Sequence, residues 1–490
     1  MPATPVRRAA PPAARPARRG THARRPTRRR APTLRGALLV TTVGALVPGS
    51  GMLYARRRAL GVVVLLAALA TLLAALWWLP HDLRAALELA VDPVRARRSA
   101  VLLGVVLALW TVVVVLTFLM VRPVPVPRWK TGLGSAFVAG LCLAVAAPVA
   151  VASRYAMVQA DLVDTVFGSS ASDTAPRGVT TADPWAGRDR LTVLLLGGDG
   201  GEGRIGVRTD SMILMSTDVR TGRTVTFSLP RNMMNAQFPE GSPLHQLYPY
   251  GFTGAGDPGS WMLNAVYREV PLLHPDLFPS SDNPGADALK LAVEGSTGLP
   301  VDYYLLVNLK GFQSLVDAMG GVTVNINTPV AVGGNTDAGV PPDYYLQPGP
   351  DQHLDGFHAL WFARGRYGAD DYQRMERQRC MVDAIVEQAS PWNVLRRFEA
   401  VASASKELIY TDIPQRLLAP LVELALEVKD QRVKSVVFRS SDQFNPGDPD
   451  FDQLQDTVAA ALEPRPHRAG GTPHPAEDSA TACAYTGPTT

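Results

Sequence analysis

Three long apolar stretches constrain this chain most, because apolar side chains over such lengths suit the interior of a bilayer. They cover residues 59–79, 100–121 and 132–152, and each is long enough to cross a membrane as a helix. A shorter apolar segment, 36–54, is interrupted by a Pro-Gly-Ser-Gly run. It is either a fourth span or a re-entrant or interfacial segment. The sequence therefore predicts a membrane region over residues 36–152.

The arginines favour one orientation for this region. Residues 1–35 contain eleven arginines and no acidic residue, so they lack the apolar surface of a packed core and are predicted to be a disordered cytoplasmic tail. With three spans, Arg56-Arg57-Arg58 and the basic loop 122–130 lie on the same side as the tail, as the positive-inside rule requires. The loop 80–99 carries four arginines on the other side, which weakens this assignment slightly. We expect a multi-pass protein of the cell membrane with an extracytoplasmic C-terminal domain.

The basic tail also indicates the kind of partner. It has no aromatic side chain on which a base can stack, whereas anionic headgroups of the cytoplasmic leaflet attract clustered arginines. We therefore expect contact with membrane lipid and expect no nucleic acid partner.

Composition divides the rest of the chain into three parts. Residues 153–188 are small and polar with Pro and Gly, which is typical of a linker. Residues 189–464 mix strand and helix patterns, which predicts a layered α/β/α domain with a mixed central sheet. Residues 465–490 return to Pro, Thr, Gly and Ala and are predicted to be a disordered tail.

Periodicity places the elements of the domain. The predicted strands are 191–196, 211–216, 224–229, 301–307, 322–326 and 434–438. The predicted helices are 261–269, 286–298, 311–319, 355–361, 371–389, 392–408, 414–428 and 451–462.

The three cysteines give little information about the fold or a functional site. Cys142 falls in a span, Cys380 on a predicted helix and Cys483 in the tail. This spacing predicts neither a disulfide framework nor a metal cluster. Cys380 is predicted to be a small core residue rather than a nucleophile.

Charged residues collect at the ends of the first three strands. Asp199 lies in a glycine-rich turn after the first strand, Arg208 and Asp210 precede and begin the second, and Arg231 follows the third. Open α/β sheets bind ligands at strand ends. Carboxylates hold hard divalent cations, and arginines grip phosphate with a planar fork of donors. The run indicates a pyrophosphate–metal site, and an ordinary polar turn stays open because the glycines match neither common phosphate-binding loop.

A second charged set lies further along the chain. Arg364 and Arg366 are two apart, on one side if the backbone is extended. Arg374 and Gln378 are four apart on one face of a predicted helix that opens with Asp370 and Asp371. A charge-rich helix start is usually a solvated face. Two arginine sets with two loop aspartates favour an anion site instead.

The motifs that carry these residues resemble the LytR-CpsA-Psr family. They stand in the family's order over about residues 190–390: LLLGGDG, RTDSMIL, VTFSLPRN, LNAVY, TGLPVDYYLLVNLKGFQSLVDAMGGVTVNI, LDGFHALWFARGR and DDYQRMERQR. The resemblance implies a membrane-anchored phosphotransferase. Such an enzyme moves a glycan phosphate from a polyprenyl-pyrophosphate carrier onto peptidoglycan and so attaches a cell-wall glycopolymer.

Residue roles follow from the resemblance. It implies that Asp199 and Asp210 hold Mg²⁺ and act with Arg231 and Arg364 in catalysis. It implies that the remaining matched side chains bind the pyrophosphate, and these are Arg208, Arg366, Arg374 and Gln378.

Two departures from the family's pattern keep other functions open. Asn232 stands where the family often has an aspartate beside Arg231, and Met262 stands where it often has a basic residue. A catalytically retuned or inactive lipid-glycan-binding or regulatory membrane protein is one alternative. A polyprenyl-pyrophosphate hydrolase is the other.

A lipid-linked donor also predicts an apolar channel, because its tail must leave water when the headgroup reaches the arginines. We expect the channel between the sheet and helices drawn from 286–319 and 373–428, open near Arg364 and Arg374. Its predicted lining is Leu289, Leu291, Phe312, Leu315, Met381 and Ile385. Taken singly, each of these side chains favours an ordinary core position over a channel lining.

Overall fold

The computed structural model describes residues 29–78, 92–125, 127–167, 171–198, 209–334, 339–388, 409–429, 431, 433–441, 444–463 and 477–487. They belong to two compact units. One unit is drawn from Met1–Leu79 and Gly104–Ala150, and the other from Pro80–Leu103 and Val151–Thr490.

Three helices are long and apolar enough to span a membrane. They are α3 (Arg58–Trp78), α4 (Pro93–Val121) and α5 (Arg128–Phe167), and each contains most of one predicted span. The segment 36–54 forms two shorter helices, α1 (Leu34–Leu46) and α2 (Ser50–Tyr54). At 13 and 5 residues, neither is long enough to cross a bilayer as a helix. The structure therefore favours three spans with a short interrupted segment before them.

The predicted linker is wrong over much of its length. Helix α5 continues past residue 153 to Phe167, and Ala160 and Val163 on this extension are buried. The polar residues that follow are docked on the domain, because Asp287 accepts hydrogen bonds from Ser172 Oγ at 2.6 Å and Thr174 Oγ1 at 2.6 Å. Small polar side chains therefore bind a buried carboxylate here, which composition alone cannot distinguish from a linker.

The second unit contains eleven strands among its described residues. They are β1 (Arg190–Gly198), β2 (Thr209–Asp218), β3 (Thr224–Leu229), β4 (Tyr303–Asn308), β5 (Val322–Ile326), β6 (Val330–Val332), β7 (Tyr344–Leu346), β8 (Gly349–Leu354), β9 (Ile409–Thr411), β10 (Lys434–Val437) and β11 (Glu477–Asp478).

Its further helices are α6 (Pro243–Leu247), α7 (Leu263–Leu273), α8 (Pro284–Thr297), α9 (Leu309–Met319), α10 (Gly356–Arg364), α11 (Asp371–Gln388), α12 (Leu418–Lys429), α13 (Phe451–Leu462) and α14 (Ser479–Ala482). Short 3-10 turns lie at Pro258–Ser260 and Gln415–Leu417. The predicted helix 392–408 lies outside the described residues.

The central sheet has seven strands in the order β11-β10-β3-β2-β1-β4-β9. The pairs β1–β4 and β3–β10 are parallel, and the other four pairs are antiparallel. The predicted mixed sheet is confirmed. Two small ribbons, β5–β8 and β6–β7, lie outside it, and the sequence reading missed three of their four strands, β6 to β8.

Alternating side chains of β1 enter two different cores. Leu194 and Leu196 belong to a cluster with α7, α8 and α13, whereas Leu191 and Val193 pack with residues of α12. Because successive strand residues point to opposite faces, the sheet is covered on both sides. The layered α/β/α architecture is confirmed.

The predicted channel lining is wrong as a single set. Leu289 is fully buried in the cluster with α7, α8 and α13. Met381 belongs to a separate cluster around β5, β8 and α10, against which Phe312 and Ile385 are half-buried. Helical spacing identifies the apolar face of a helix, but it does not show against which of the two hydrophobic clusters that face packs.

The two predictions for the C-terminal cysteines are wrong. Cys380 on α11 and Cys483 form a disulfide with a Cα–Cα distance of 5.5 Å. The segment Glu477–Gly487 is ordered against the domain, and β11 extends the sheet beside β10. A pairing between cysteines 103 residues apart has no local signature, so spacing could not reveal it.

A buried ion pair ties α8 to the segment after β9. Lys290 Nζ lies 2.7 Å from Asp412 Oδ2, and both side chains are 1% exposed. Lys290 also donates to the carbonyl of Asp302 at 2.8 Å, while Asp412 accepts the backbone N–H of Tyr304 at 2.7 Å. The network fixes the start of β4 and is a structural feature away from the predicted site residues.

Candidate active site

Five strand ends meet at one edge of the central sheet. The register pairs Gly198 at the end of β1 with Thr209 at the start of β2 and with Asn308 at the end of β4. It also pairs Met212 of β2 with Leu229, the last residue of β3, so Asp210 and Arg231 each lie two residues beyond this pair in the chain. The parallel pairing of β10 with β3 adds a fifth strand end. Strand ends in open α/β sheets are where ligands bind.

Asp371 is the centre of an arginine cluster at this site. Its Oδ2 lies 2.9 Å from Arg374 Nη2, and its Oδ1 lies 3.6 Å from Arg231 Nε and 4.0 Å from Arg366 Nη1. The Arg374 side chain is 3% exposed, whereas that of Arg366 is 41% exposed. The structure therefore brings together three of the predicted arginines, from β3, the α10–α11 connection and α11.

Local chemistry explains the position of Asp371. It is the first residue of α11, and the preceding Asp370 accepts the backbone N–H of Gln373 at 2.7 Å. Carboxylates are favoured at a helix N-terminus because of the helix dipole. Arg374 stands one turn along, within reach of Asp371. The sequence predicted that these aspartates lie at the start of the helix. It did not predict that Asp371 pairs with three arginines.

Arg364 and Arg366 have different surroundings. Helix α10 extends to Arg364, and the backbone N–H of Gly365 closes its last turn on the Trp361 carbonyl at 2.7 Å. Arg364 lies over the Trp361 ring with its Cζ 4.9 Å from the ring centroid. The backbone is not extended at Arg364, so the condition for placing both arginines on one side is not met, because the helix formers before Gly365 continue the helix through Arg364.

Gln378 contacts protein rather than presenting its amide N–H freely. Its Nε2 donates to the carbonyl of Ala363 at 3.1 Å. The neighbouring Arg377 was not among the predicted site residues. It donates from Nε to the carbonyl of Phe362 at 2.8 Å and from Nη2 to the carbonyl of Gly365. Burial, with the nearby Arg374 charge, lowers the pKa of Arg377 to about 10.

Arg231 has a carboxylate partner even though its neighbour in the chain is Asn232. Asp371 supplies one from another element at 3.6 Å. The backbone carbonyl of Arg231 accepts the N–H of Asn264 at 3.1 Å, which fixes it beside the start of α7. Met262 stands before this helix and pairs with Met234 in an isolated β-bridge.

The predicted metal ligands lie at the border of the described chain. Asp199 and Arg208 fall outside the described residues, and Asp210 is described only as part of the backbone of β2. Two buried oxygens nearby, Thr209 Oγ1 and Asn232 Oδ1, have no hydrogen-bond partner among the described residues. Both are oxygens, the kind of ligand that Mg²⁺ takes. Mg²⁺ binding by Asp199 and Asp210 stays a prediction.

Comparisons with known proteins agree with this arrangement. Residues 160–462 match the LytR_cpsA_psr family. A relative from Oceanobacillus iheyensis, named polyisoprenyl-teichoic acid–peptidoglycan teichoic acid transferase TagU, is 27% identical over 267 residues, 53% of this chain and 71% of the relative. A relative of the same name from Bacillus cereus is 26% identical over 229 residues, 46% of this chain and 61% of the relative.

Among solved structures, that of B. subtilis TagV superposes with a TM-score of 0.40 at 20% identity, covering 55% of this chain and 96% of that chain. The family match spans more than half of the sequence and includes β1 to β10, Asp371 and all the predicted site residues. The chain belongs to the LytR_cpsA_psr family.

Proposed function

We propose that this protein is a phosphotransferase that moves a glycan phosphate from a polyprenyl-pyrophosphate carrier onto peptidoglycan. The observation that carries the proposal is the cluster of Arg231, Arg366 and Arg374 around Asp371 at the edge where the strands end. Guanidinium groups in this number suit a pyrophosphate, which presents several charged oxygens. The names of the curated relatives, teichoic acid transferases acting on peptidoglycan, support the same reaction class.

The reaction needs charge neutralisation and positioning more than covalent catalysis. A hydroxyl of peptidoglycan attacks the phosphorus that carries the glycan, and the bond from that phosphorus to the bridging oxygen breaks. Polyprenyl phosphate leaves with the electron pair of that bond. The hydroxyl proton passes to a carboxylate at the strand ends, for which Asp199 and Asp210 are the candidates.

The arginines and Asp371 have separate tasks in this mechanism. Arg231, Arg366 and Arg374 donate to the phosphate oxygens, where charge accumulates during transfer. Asp371 holds the guanidinium groups in fixed orientations before the donor arrives, which lowers the reorganisation needed on binding. Asp199 and Asp210 would hold Mg²⁺, which supplies further neutralisation of the pyrophosphate charge when bound.

The polyprenyl tail needs an apolar surface close to these arginines. Phe362 and Met381 are buried in the cluster that includes α10 and α11, and Phe312 and Ile385 are half-buried against it. We assign the tail to the surface that Phe312 and Ile385 leave exposed and exclude Leu289, which is fully buried in the other core.

The proposed location of the domain is outside the cytoplasm, with the membrane helices as a multi-pass anchor. The Cys380–Cys483 disulfide supports this location, because disulfides persist in oxidising compartments and are rare in the cytosol. Protease added to intact spheroplasts should digest the domain. Its full protection until the membrane is permeabilised would overturn the topology and with it the proposed reaction.

One assay separates the proposed reaction from its alternatives. The full chain in liposomes is given lipid-linked glycan, Mg²⁺ and peptidoglycan oligomers, and products are identified by mass spectrometry. Glycan joined to peptidoglycan through a phosphodiester supports the proposal. Free glycan phosphate identifies a hydrolase, and recovery of intact donor identifies a binding or regulatory protein.

A further inference from the structure

The end of α10 and its connection to α11 carry two predicted site arginines, Arg364 and Arg366, and this segment accepts hydrogen bonds from α11. Arg377 donates to the carbonyls of Phe362 and Gly365, and Gln378 donates to the carbonyl of Ala363. These carbonyls surround Arg364 and immediately precede Arg366. They belong to the end of a helix, where carbonyls lack partners within the helix.

The same connection also packs closely against β6. A Cβ at position 365 would lie 2.6 Å from the carbonyl oxygen of Ala331 and 2.9 Å from that of Trp361. Only a glycine fits at this distance. The backbone between the two arginines is therefore fixed both by close packing and by donors from α11.

We infer that Arg377 is a positioning residue for the phosphotransfer site, acting through the backbone that carries Arg364 and Arg366. The inference rests on the proposed function and extends it to a residue whose hydrogen bonds go to the carbonyls of Phe362 and Gly365 rather than to Asp371. Arg377 is only 8% exposed, so it acts on substrate through this backbone rather than by direct contact.

The shape of the side chain explains why an arginine stands here. Its planar guanidinium directs several donors from one rigid group and so reaches two carbonyls that are three residues apart. A lysine ammonium is a compact group on a flexible stem. Arg377→Lys should therefore keep the charge and retain only part of the restraint, whereas Arg377→Met should keep the length and lose all of it.

The chain offers a matched control in Arg379. This residue lies on the same helix and is 7% exposed, but its Nη1 donates to Ser435 Oγ on β10 at 3.1 Å. Arg379→Met therefore removes a buried arginine of α11 whose hydrogen bond goes to β10 rather than to the carbonyls beside Arg364 and Arg366.

Hydrogen exchange of the full chain in detergent tests the inference without requiring turnover. Arg377→Met should raise amide exchange in residues 363–369 about tenfold, with a smaller rise for Arg377→Lys. Arg379→Met should leave this peptide close to wild type. Equal exchange of the peptide in Arg377→Met and Arg379→Met would overturn the inference.

Inorganic pyrophosphate binding, measured by calorimetry, tests the link to the arginines. Arg377→Met should weaken binding about tenfold in the wild-type background. In a background carrying Arg364→Ala and Arg366→Ala, the same change should have little further effect, because residues that act through one another are not additive. Equal weakening in both backgrounds would overturn the inference. Failure of the proposed function is separate, since it appears as wild-type protein that transfers no glycan to peptidoglycan.

Discussion

Arg374 Nη2 lies 2.9 Å from Asp371 Oδ2, and this pair is the fixed point of the site. The two residues are three apart on α11, so the helix itself sets their geometry. Arg231 and Arg366 reach the same carboxylate from other elements. Asp371 therefore preorganises the three arginines, and its carboxylate also competes with any bound phosphate for their guanidinium groups.

Asp371→Asn tests this double role. Loss of the charge should leave the arginines more available, so the Kd for inorganic pyrophosphate should fall severalfold, roughly what one partly exposed ion pair contributes. The guanidinium groups should also lose their fixed orientation, so kcat should fall about tenfold or more. Calorimetry and steady-state kinetics measure the two effects.

The matched control for this prediction is Glu376→Gln on the same helix. Glu376 pairs with Arg439 at 3.2 Å and is 42% exposed. The control should leave both quantities unchanged. An Asp371→Asn variant with wild-type kcat would show that the carboxylate does not orient the arginines for reaction.

Glu294 gives a pH-dependent prediction. Burial raises the pKa of this carboxyl, and the hydrogen bond from the Val301 N–H opposes the rise. A raised folded-state pKa means that the stabilising contribution is present below the unfolded pKa of about 4.3 and is lost as pH rises through the folded value. The Tm of wild type relative to Glu294→Gln should therefore decrease as pH is raised above about 4.3. A difference in Tm that is constant with pH would contradict this assignment.

The buried pair of Lys290 and Asp412 predicts a large loss of stability when one partner is removed. Lys290→Met leaves the Asp412 carboxylate buried without its cation, which should cost about 3–5 kcal/mol. Replacing both residues with apolar side chains should recover much of this loss. Thermal unfolding of the full chain measures both variants. A Lys290→Met protein with the wild-type Tm would show that the pair is not buried in the folded protein.

The disulfide predicts a thiol count. The unfolded, unreduced chain should react with maleimide at Cys142 alone and leave Cys380 and Cys483 unmodified. Cys483→Ser should lower the stability of the folded domain by about 2–5 kcal/mol, because the crosslink closes a long loop. Labelling of all three cysteines in protein purified without reductant would contradict the pairing.

Local patterns in the sequence predicted most of the central sheet. Alternating and continuous apolar runs located β1 to β5 and β10, and the membrane helices followed from length and composition. The short strands β6 to β9 and β11 were missed, because segments of two to six residues carry little periodic signal.

The site was predictable in its residue types and less so in its contacts. Arg231, Arg366 and Arg374 converge as the two charged motifs indicated. Asp371 as their common partner, and the bonds from Arg377 to α10, arise from tertiary packing that spacing does not encode. The predicted helix 355–361 ended too early, because α10 continues through Arg364.

The central claim is that phosphate transfer takes place at the arginine cluster around Asp371. The most direct test is transfer of lipid-linked glycan to peptidoglycan by the full chain in liposomes, compared between wild type, Arg374→Met and Arg379→Met. We expect Arg374→Met to lower the transfer rate by about 100-fold or more, because removal of one preorganised donor to a developing charge has an effect of this size in other enzymes. Arg379→Met should transfer at the wild-type rate. Equal transfer by Arg374→Met and wild type would place the reaction elsewhere and contradict the account.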